Sequence, residues 1–198
     1  MGRWEPDARG RLRLAALELY GEHGFEQTTV ADIADRAGVT ERTFFRHFAD
    51  KREVLFDGSG ELERRAVDAI VAAPASADPV EAVVTGMVAG AAPLDEHRPY
   101  SLLRAAAIAG NASLVERELL KLATLTAASA EALRTRGVPE PDAALAAEVG
   151  VTAFKVGFAR WLGDEPPGDL TTCIRTALDQ LRRLAAPAAA PDPVAADR

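Results

Sequence analysis

Arg42, Thr43, Phe45, Arg46 and His47 crowd into one short run, Thr40-Glu41-Arg42-Thr43-Phe44-Phe45-Arg46-His47-Phe48. A guanidinium can meet guanine O6 and N7 with two hydrogen bonds, discriminating by about 1–3 kcal/mol, and a threonine can touch a thymine methyl or a phosphate. Phe44 and Phe48 lie four apart and point to one side of a helix, which leaves Glu41, Arg42, Thr43, Phe45 and Arg46 on the other. Glu41 either accepts from a cytosine amine or favours the positive end of that helix. The chemistry on offer is base and phosphate recognition, with Arg42 the foremost candidate for a base contact.

Such a helix must be held rigidly, and the residues before it supply the means. Thr29 and Asp32 approximate a capping box, with Asp where Glu or Gln is usual, opening a helix at Val30. Ile33, Ala34 and Ala37 give that helix an apolar, closely packing face. Gly38 ends it in left-handed backbone, Val39 plugs the corner, and Thr40 caps the next helix. Two short helices across a tight turn present the second to a major groove, which at about 12 Å admits one helix.

Over roughly residues 10 to 57 the chain resembles the TetR-type transcriptional regulators. The matching residues are Leu12, Ala16, Leu19 and Tyr20, then Gly24-Phe25, Thr28-Thr29-Val30, Ile33-Ala34, Ala37-Gly38-Val39, Thr43-Phe44-Phe45, His47-Phe48, Lys51 and Leu55. The resemblance implies phosphate contacts from Thr29, His47 and Lys51, and groove-facing roles for Arg42, Thr43 and Phe45. Phosphate contacts fix register and base contacts fix sequence. Phe45 departs from the family's usual Tyr, removing a hydroxyl that would bond the DNA backbone. By the same resemblance the larger domain pairs two subunits and holds a small-molecule effector, and the protein represses from a palindromic operator; activation of the same kind is the alternative.

Composition agrees. The 198 residues are 48% hydrophobic and 6% aromatic, rich in Ala and Leu, which favours helices. Residues 1–52 balance basic and acidic groups, so the net charge of −7 falls on the remainder, away from the recognition face. Within the first segment Arg3, Arg9, Arg11 and Arg13 precede or open the first helix, and Arg42, Arg46, His47, Lys51 and Arg52 cluster near the reader. Cys173 is alone, which excludes an internal disulfide. Glu5, Pro6 and Asp7 stand where a secretory signal needs an apolar run. The apolar stretch Ala82–Leu94 is too short for a bilayer. A cytoplasmic protein without a membrane partner is expected.

Caps and breakers predict an all-α fold of about nine helices. A DNA-binding head spans residues 1–50, an effector-binding and dimerisation domain 51–186, and a disordered Ala/Pro tail 187–198. Asp50 with Glu53 predicts a helix from Lys51 through about Ala72, stopped by Pro74. Further helices are expected over Pro79–Ala92, Glu96–Ala109, Ala112–Arg136, Asp142–Leu162 and Asp169–Leu184. Ala146, Gly150, Ala153 and Gly157 run along one face and permit close helix approach, so with Trp161, Leu178 and Leu181 they are candidates for the dimer interface; an internal seam fits the same pattern. Met87, Tyr100, Arg104, Thr124 and Phe154 are candidates for an effector pocket, although an Arg at a helix edge, as Arg104 is, more often snorkels to water or pairs with a carboxylate. His23, His47 and His97 are too scattered for a metal site, and no nucleophile with its base and no phosphate loop is present, so neither catalysis nor a cofactor is expected. A helical protein-binding module without DNA function is the rival reading.

Overall fold

The computed structural model describes residues 7–163, 165–166 and 168–186. The expected tail from Pro187 to Arg198, and Arg3, lie outside the described residues.

Asp7 accepts from Gly10 N and starts α1, Ala8–His23, which buries Leu12, Ala15, Ala16, Leu17, Leu19 and Tyr20. Two short helices pack on it, α2 (Val30–Arg36) and α3 (Glu41–His47), as their caps predict. Residues 51–58 then form turns and the next helix, α4, spans only Ser59–Ala72. This corrects the helix expected from Lys51. The Asp50 carboxylate does accept from Arg52 N (2.8 Å) and Glu53 N (3.1 Å) as a cap would, but Gly58 at φ 91° is left-handed and interrupts any continuous helix. Val54, Leu55 and Phe56 of this turn segment are buried in the core of the head, together with Ile108 and Leu114 from further along the chain.

The larger core is built from α4, α5 (Pro79–Ala91), α7 (Ala112–Thr135), α8 (Asp142–Trp161) and α9 (Leu170–Ala185). Asp78, Asn111 and Asp169 cap α5, α7 and α9 through their side chains. A 3-10 segment, Ala92–His97, takes the place of the expected start of the helix after α5, and α6 runs over Arg98–Ala109. Among the described residues there are nine α-helices and no strand. None is long and apolar enough to cross a membrane.

Candidate nucleic-acid interface

The head is locked from within. Thr29 Oγ1 accepts from Asp32 N at 3.1 Å while Asp32 Oδ2 accepts from Thr29 N at 2.8 Å and from its hydroxyl at 2.6 Å, a complete capping box. These bonds, the hydroxyl first, hold the Asp32 carboxyl below the usual carboxylate range. Gly38 takes φ 66°, and Val39 N returns to Ala34 O at 2.9 Å to close the corner. Thr40 Oγ1 accepts from Thr43 N at 3.2 Å and lies 3.1 Å from the Thr43 hydroxyl. Both threonine hydroxyls thus secure the start of α3. Arg11, on α1, donates to Ala37 O at 3.0 Å and ties the turn to the first helix.

Phe44 is fully buried and Phe48 nearly so, their ring centroids 5.6 Å apart. The opposite side of α3 is open to solvent. Glu41, Arg42 and Arg46 are exposed, Thr43 and His47 flank them half-buried, and Phe45 is 55% exposed. An aromatic ring left in water between two guanidinium groups suits packing on a sugar or thymine methyl. Among the described residues Arg42 has no ion pair or hydrogen bond holding it back.

Lys51 corrects an expectation. Its Nζ donates to three main-chain carbonyls, Phe25 O (2.8 Å), Thr28 O (2.9 Å) and Glu26 O (3.3 Å), and sits 4.4 Å from the Phe25 ring centre. An ammonium has three hydrogens and all are used, so Lys51 staples the loop between α1 and α2 and leaves nothing for a phosphate. Tyr20 completes this staple by donating its hydroxyl to Lys51 O at 2.6 Å, and burial pushes its phenol pKa up.

The expected dimer seam is also corrected. A Cβ on Gly150 would come within 2.3 Å of Val83 Cγ1 on α5, and one on Gly157 within 2.5 Å of Ile174 Cα on α9. Ala146, Ala153, Trp161 and Leu178 are buried by the same neighbours, and Leu181 is half-buried against them. The buried residues of this set join helices of one chain and offer no surface to a second copy; Leu181 alone of them keeps part of its side chain in solvent. The face of α8 that remains free carries Leu145 (66% exposed), Thr152, Val156 (38%) and Ala159.

Four of the five expected pocket residues line one cavity of about 580 Å³: Tyr100, Arg104, Thr124 and Phe154. The fifth, Met87, is fully buried in the larger core and is not part of that cavity's lining. Arg104 is not a free cation. It donates to Leu55 O at 2.6 Å and to both carboxylate oxygens of Glu118, at 2.7 and 3.2 Å, and its guanidinium lies 5.2 Å from the Phe56 ring centre. Arg117 likewise donates to Glu53 at 2.8 Å, and Arg13 to the Tyr100 hydroxyl at 3.2 Å. All three pairs join the head or its turn segment to α6 and α7; none follows from local sequence, since the partners are far apart in the chain.

Residues 12–57 match the family described as bacterial regulatory proteins, tetR family. Over 75 residues the chain is 40% identical to the HTH-type transcriptional regulator TcmR of Streptomyces glaucescens, a match covering 38% of this chain and 33% of that protein. Most of its length resembles solved structures. One is FadR of Thermus thermophilus, titled a transcriptional repressor in complex with lauroyl-CoA: 27% identical, TM-score 0.54, covering 93% of this chain and 98% of that one. Another is FadR of Bacillus subtilis in complex with stearoyl-CoA: 21% identical, TM-score 0.58, covering 87% and 96%.

Proposed function

We propose that the chain, whose residues 12–57 match the tetR family of bacterial regulatory proteins, is a member of that family throughout and a ligand-responsive, sequence-specific DNA-binding regulator acting as a homodimer. One observation carries this reading: a doubly capped α3 keeps Phe44 and Phe48 buried while Arg42, Phe45 and Arg46 stand together in solvent. Arg42 reads a base, Phe45 packs on the sugar or methyl beside it, and Arg46 with His47 meets the backbone. Thr29, Thr40 and Thr43 hold the two helices in register, and Glu41 supports the positive end of α3. One such helix reads few base pairs, so two copies on half-sites about 34–36 Å apart supply the specificity.

The open face of α8, Leu145, Thr152, Val156 and Ala159, with Leu184 of α9 (76% exposed), is the surface on which the second copy packs. Repression follows the Thermus thermophilus FadR repressor, and the cavity beside Arg104 is where an effector binds, as the lauroyl-CoA complex of that relative supports. Filling the cavity shifts α6 and α7 against the 51–58 segment and changes the spacing of the two readers.

Selection from random oligonucleotides tests this. A palindromic consensus is expected, with Arg42→Ala costing about 1–3 kcal/mol and relaxing one position per half-site. With two phosphates met per subunit, by Arg46 and His47, the log-log salt slope is about −4 for the dimer. Recovery of no preferred sequence would overturn the regulator reading in favour of a protein-binding module.

A further inference from the structure

The cavity of about 580 Å³ has the size of a drug-sized ligand site. Its apolar wall comprises Leu62, Leu94, Leu122, Leu125, Phe154 and Phe158. Five fixed cations also line it, and three are neutralised within the protein: Arg13 lies beside Asp57 (3.6 Å), Arg104 pairs with Glu118 (2.7 Å) and Arg117 with Glu53 (2.7 Å). The other two, Lys121 of α7 and Lys155 of α8, have no ion pair or hydrogen bond among the described residues. Of the lining carboxylates, Asp57, Glu61 and Glu118 are each engaged by an arginine, leaving Glu63 alone against the two lysines.

A second observation points the same way. Ser101 is 3% exposed and lines the cavity, yet its hydroxyl has no partner among the described residues. The other two buried hydroxyls, Thr28 and Ser129, donate to main-chain carbonyls, to Gly24 O at 2.9 Å and to Leu125 O at 2.8 Å. The Ser101 oxygen is not sealed off, since Arg136 Nη1 is the only buried side-chain polar atom without a partner among the described residues; Ser101 Oγ opens onto the cavity and can bond what fills it.

We propose that this cavity takes an amphiphile with an apolar chain and an anionic terminus, the chain lying against Phe154, Phe158, Leu122 and Leu125 and the negative charge received by Lys121 and Lys155. This rests on the ligand-responsive reading above and names the ligand class. A cationic ligand would meet two uncompensated ammonium groups, and a neutral one would gain nothing from either, since water solvates the exposed Lys155 and half-buried Lys121. The anion is either a free carboxylate or the phosphates of a coenzyme A thioester; the lysines serve both.

Isothermal titration of the full chain, with no DNA present, tests it with dodecanoate, lauroyl-CoA, dodecanol and dodecylamine. Dodecanoate, lauroyl-CoA or both are expected to bind about tenfold more tightly than dodecanol, the change two partly exposed ion pairs supply together. The stronger of the two identifies the source of the charge. The double substitution Lys121→Gln with Lys155→Gln is expected to abolish that preference while dodecanol binding and melting temperature stay as they are, which excludes misfolding. Equal binding of dodecanol, a preference for dodecylamine, no binding of any probe, or an undiminished preference in the double variant would each overturn the proposal. Because no DNA enters the titration, carboxylate binding without any selected DNA sequence would defeat the regulator reading alone, and the converse would defeat this one alone.

Discussion

Gly157→Ala separates a seam inside the chain from a seam between two chains. Gly157 is interior to α8, where alanine ordinarily gains about 0.8–1.0 kcal/mol of helix propensity. Here the added Cβ would stand 2.5 Å from Ile174 Cα, 2.7 Å from Ile174 N and 2.9 Å from the Cys173 carbonyl carbon, all main-chain atoms of α9 that cannot swing aside. Overpacking costs about 1–3 kcal/mol, so the net effect is a loss of up to about 2 kcal/mol. For a chain of this size that lowers Tm by up to about 4–8 °C. Gly21→Ala in α1, with nothing within 4 Å of its added Cβ, is the control and is expected to raise stability by up to about 1 kcal/mol. Calorimetry across a range of protein concentrations reads both, with sedimentation reporting assembly. If Gly157→Ala melted higher, or its only effect were to dissociate a dimer, the α8–α9 packing described here would be wrong.

Lys51→Met leaves three carbonyls without their donor and is expected to destabilise the head by about 1–3 kcal/mol, while the salt slope of DNA binding, measured below the melting range, stays unchanged; a slope reduced by about 2 per dimer would restore Lys51 to the phosphates. Asp32 has its carboxyl held below the usual 3.8 by the Thr29 hydroxyl and amide, so its contribution is full above that value and is lost as pH falls through the lower folded one. Melting curves at successive pH values should therefore drop more steeply in acid for the wild type than for Asp32→Asn, and parallel curves would refute the capping box as an acid-sensitive element. Arg104→Met removes the donor to Leu55 O and the partner of Glu118, so hydrogen exchange at the amides of residues 51–58 should accelerate while α2 and α3 keep their protection; unchanged exchange would show that the segment is held by its apolar contacts alone.

The head was legible because its determinants are local. Thr29 with Asp32, Gly38, Thr40 and the Phe44–Phe48 spacing each act within a few residues, and each took the place its chemistry prescribes. What misled was local resemblance serving another end. Asp50 looks like a helix cap and makes a cap's hydrogen bonds, yet the segment 51–58 forms turns and left-handed Gly58 keeps it apart from α4, and that glycine was the available signal. The small residues of α8 told correctly that another helix comes close, but periodicity carries no address, and only the tertiary packing names Val83 and Ile174 as the neighbours. Lys51 read as a free cation, and the partner of Arg104 could be expected as a carboxylate but not named, for the same reason: their partners lie 23 or more and 14 or more residues away.

The break at 51–58 alters how a signal can travel. A continuous helix from Lys51 would act as a lever, rotating the head as its far end tilted. Instead the head is seated on α6 and α7 by shared burial, with Ile108 and Leu114 inside its core, and by Arg13–Tyr100, Arg104–Leu55 and Arg117–Glu53 across the joint. Arg13, Tyr100, Leu55, Arg104 and Arg117 also line the cavity. The groups that fix the head's seat are thus the groups a ligand would touch, and no relay through the α8–α9 core is needed. A coupling of about 1–3 kcal/mol, the usual range between two sites, is within reach of displacing one or two such half-buried, charge-assisted bonds. Substitutions deep in the α8–α9 packing should change stability with little effect on coupling, whereas those at the three joint pairs should change coupling first.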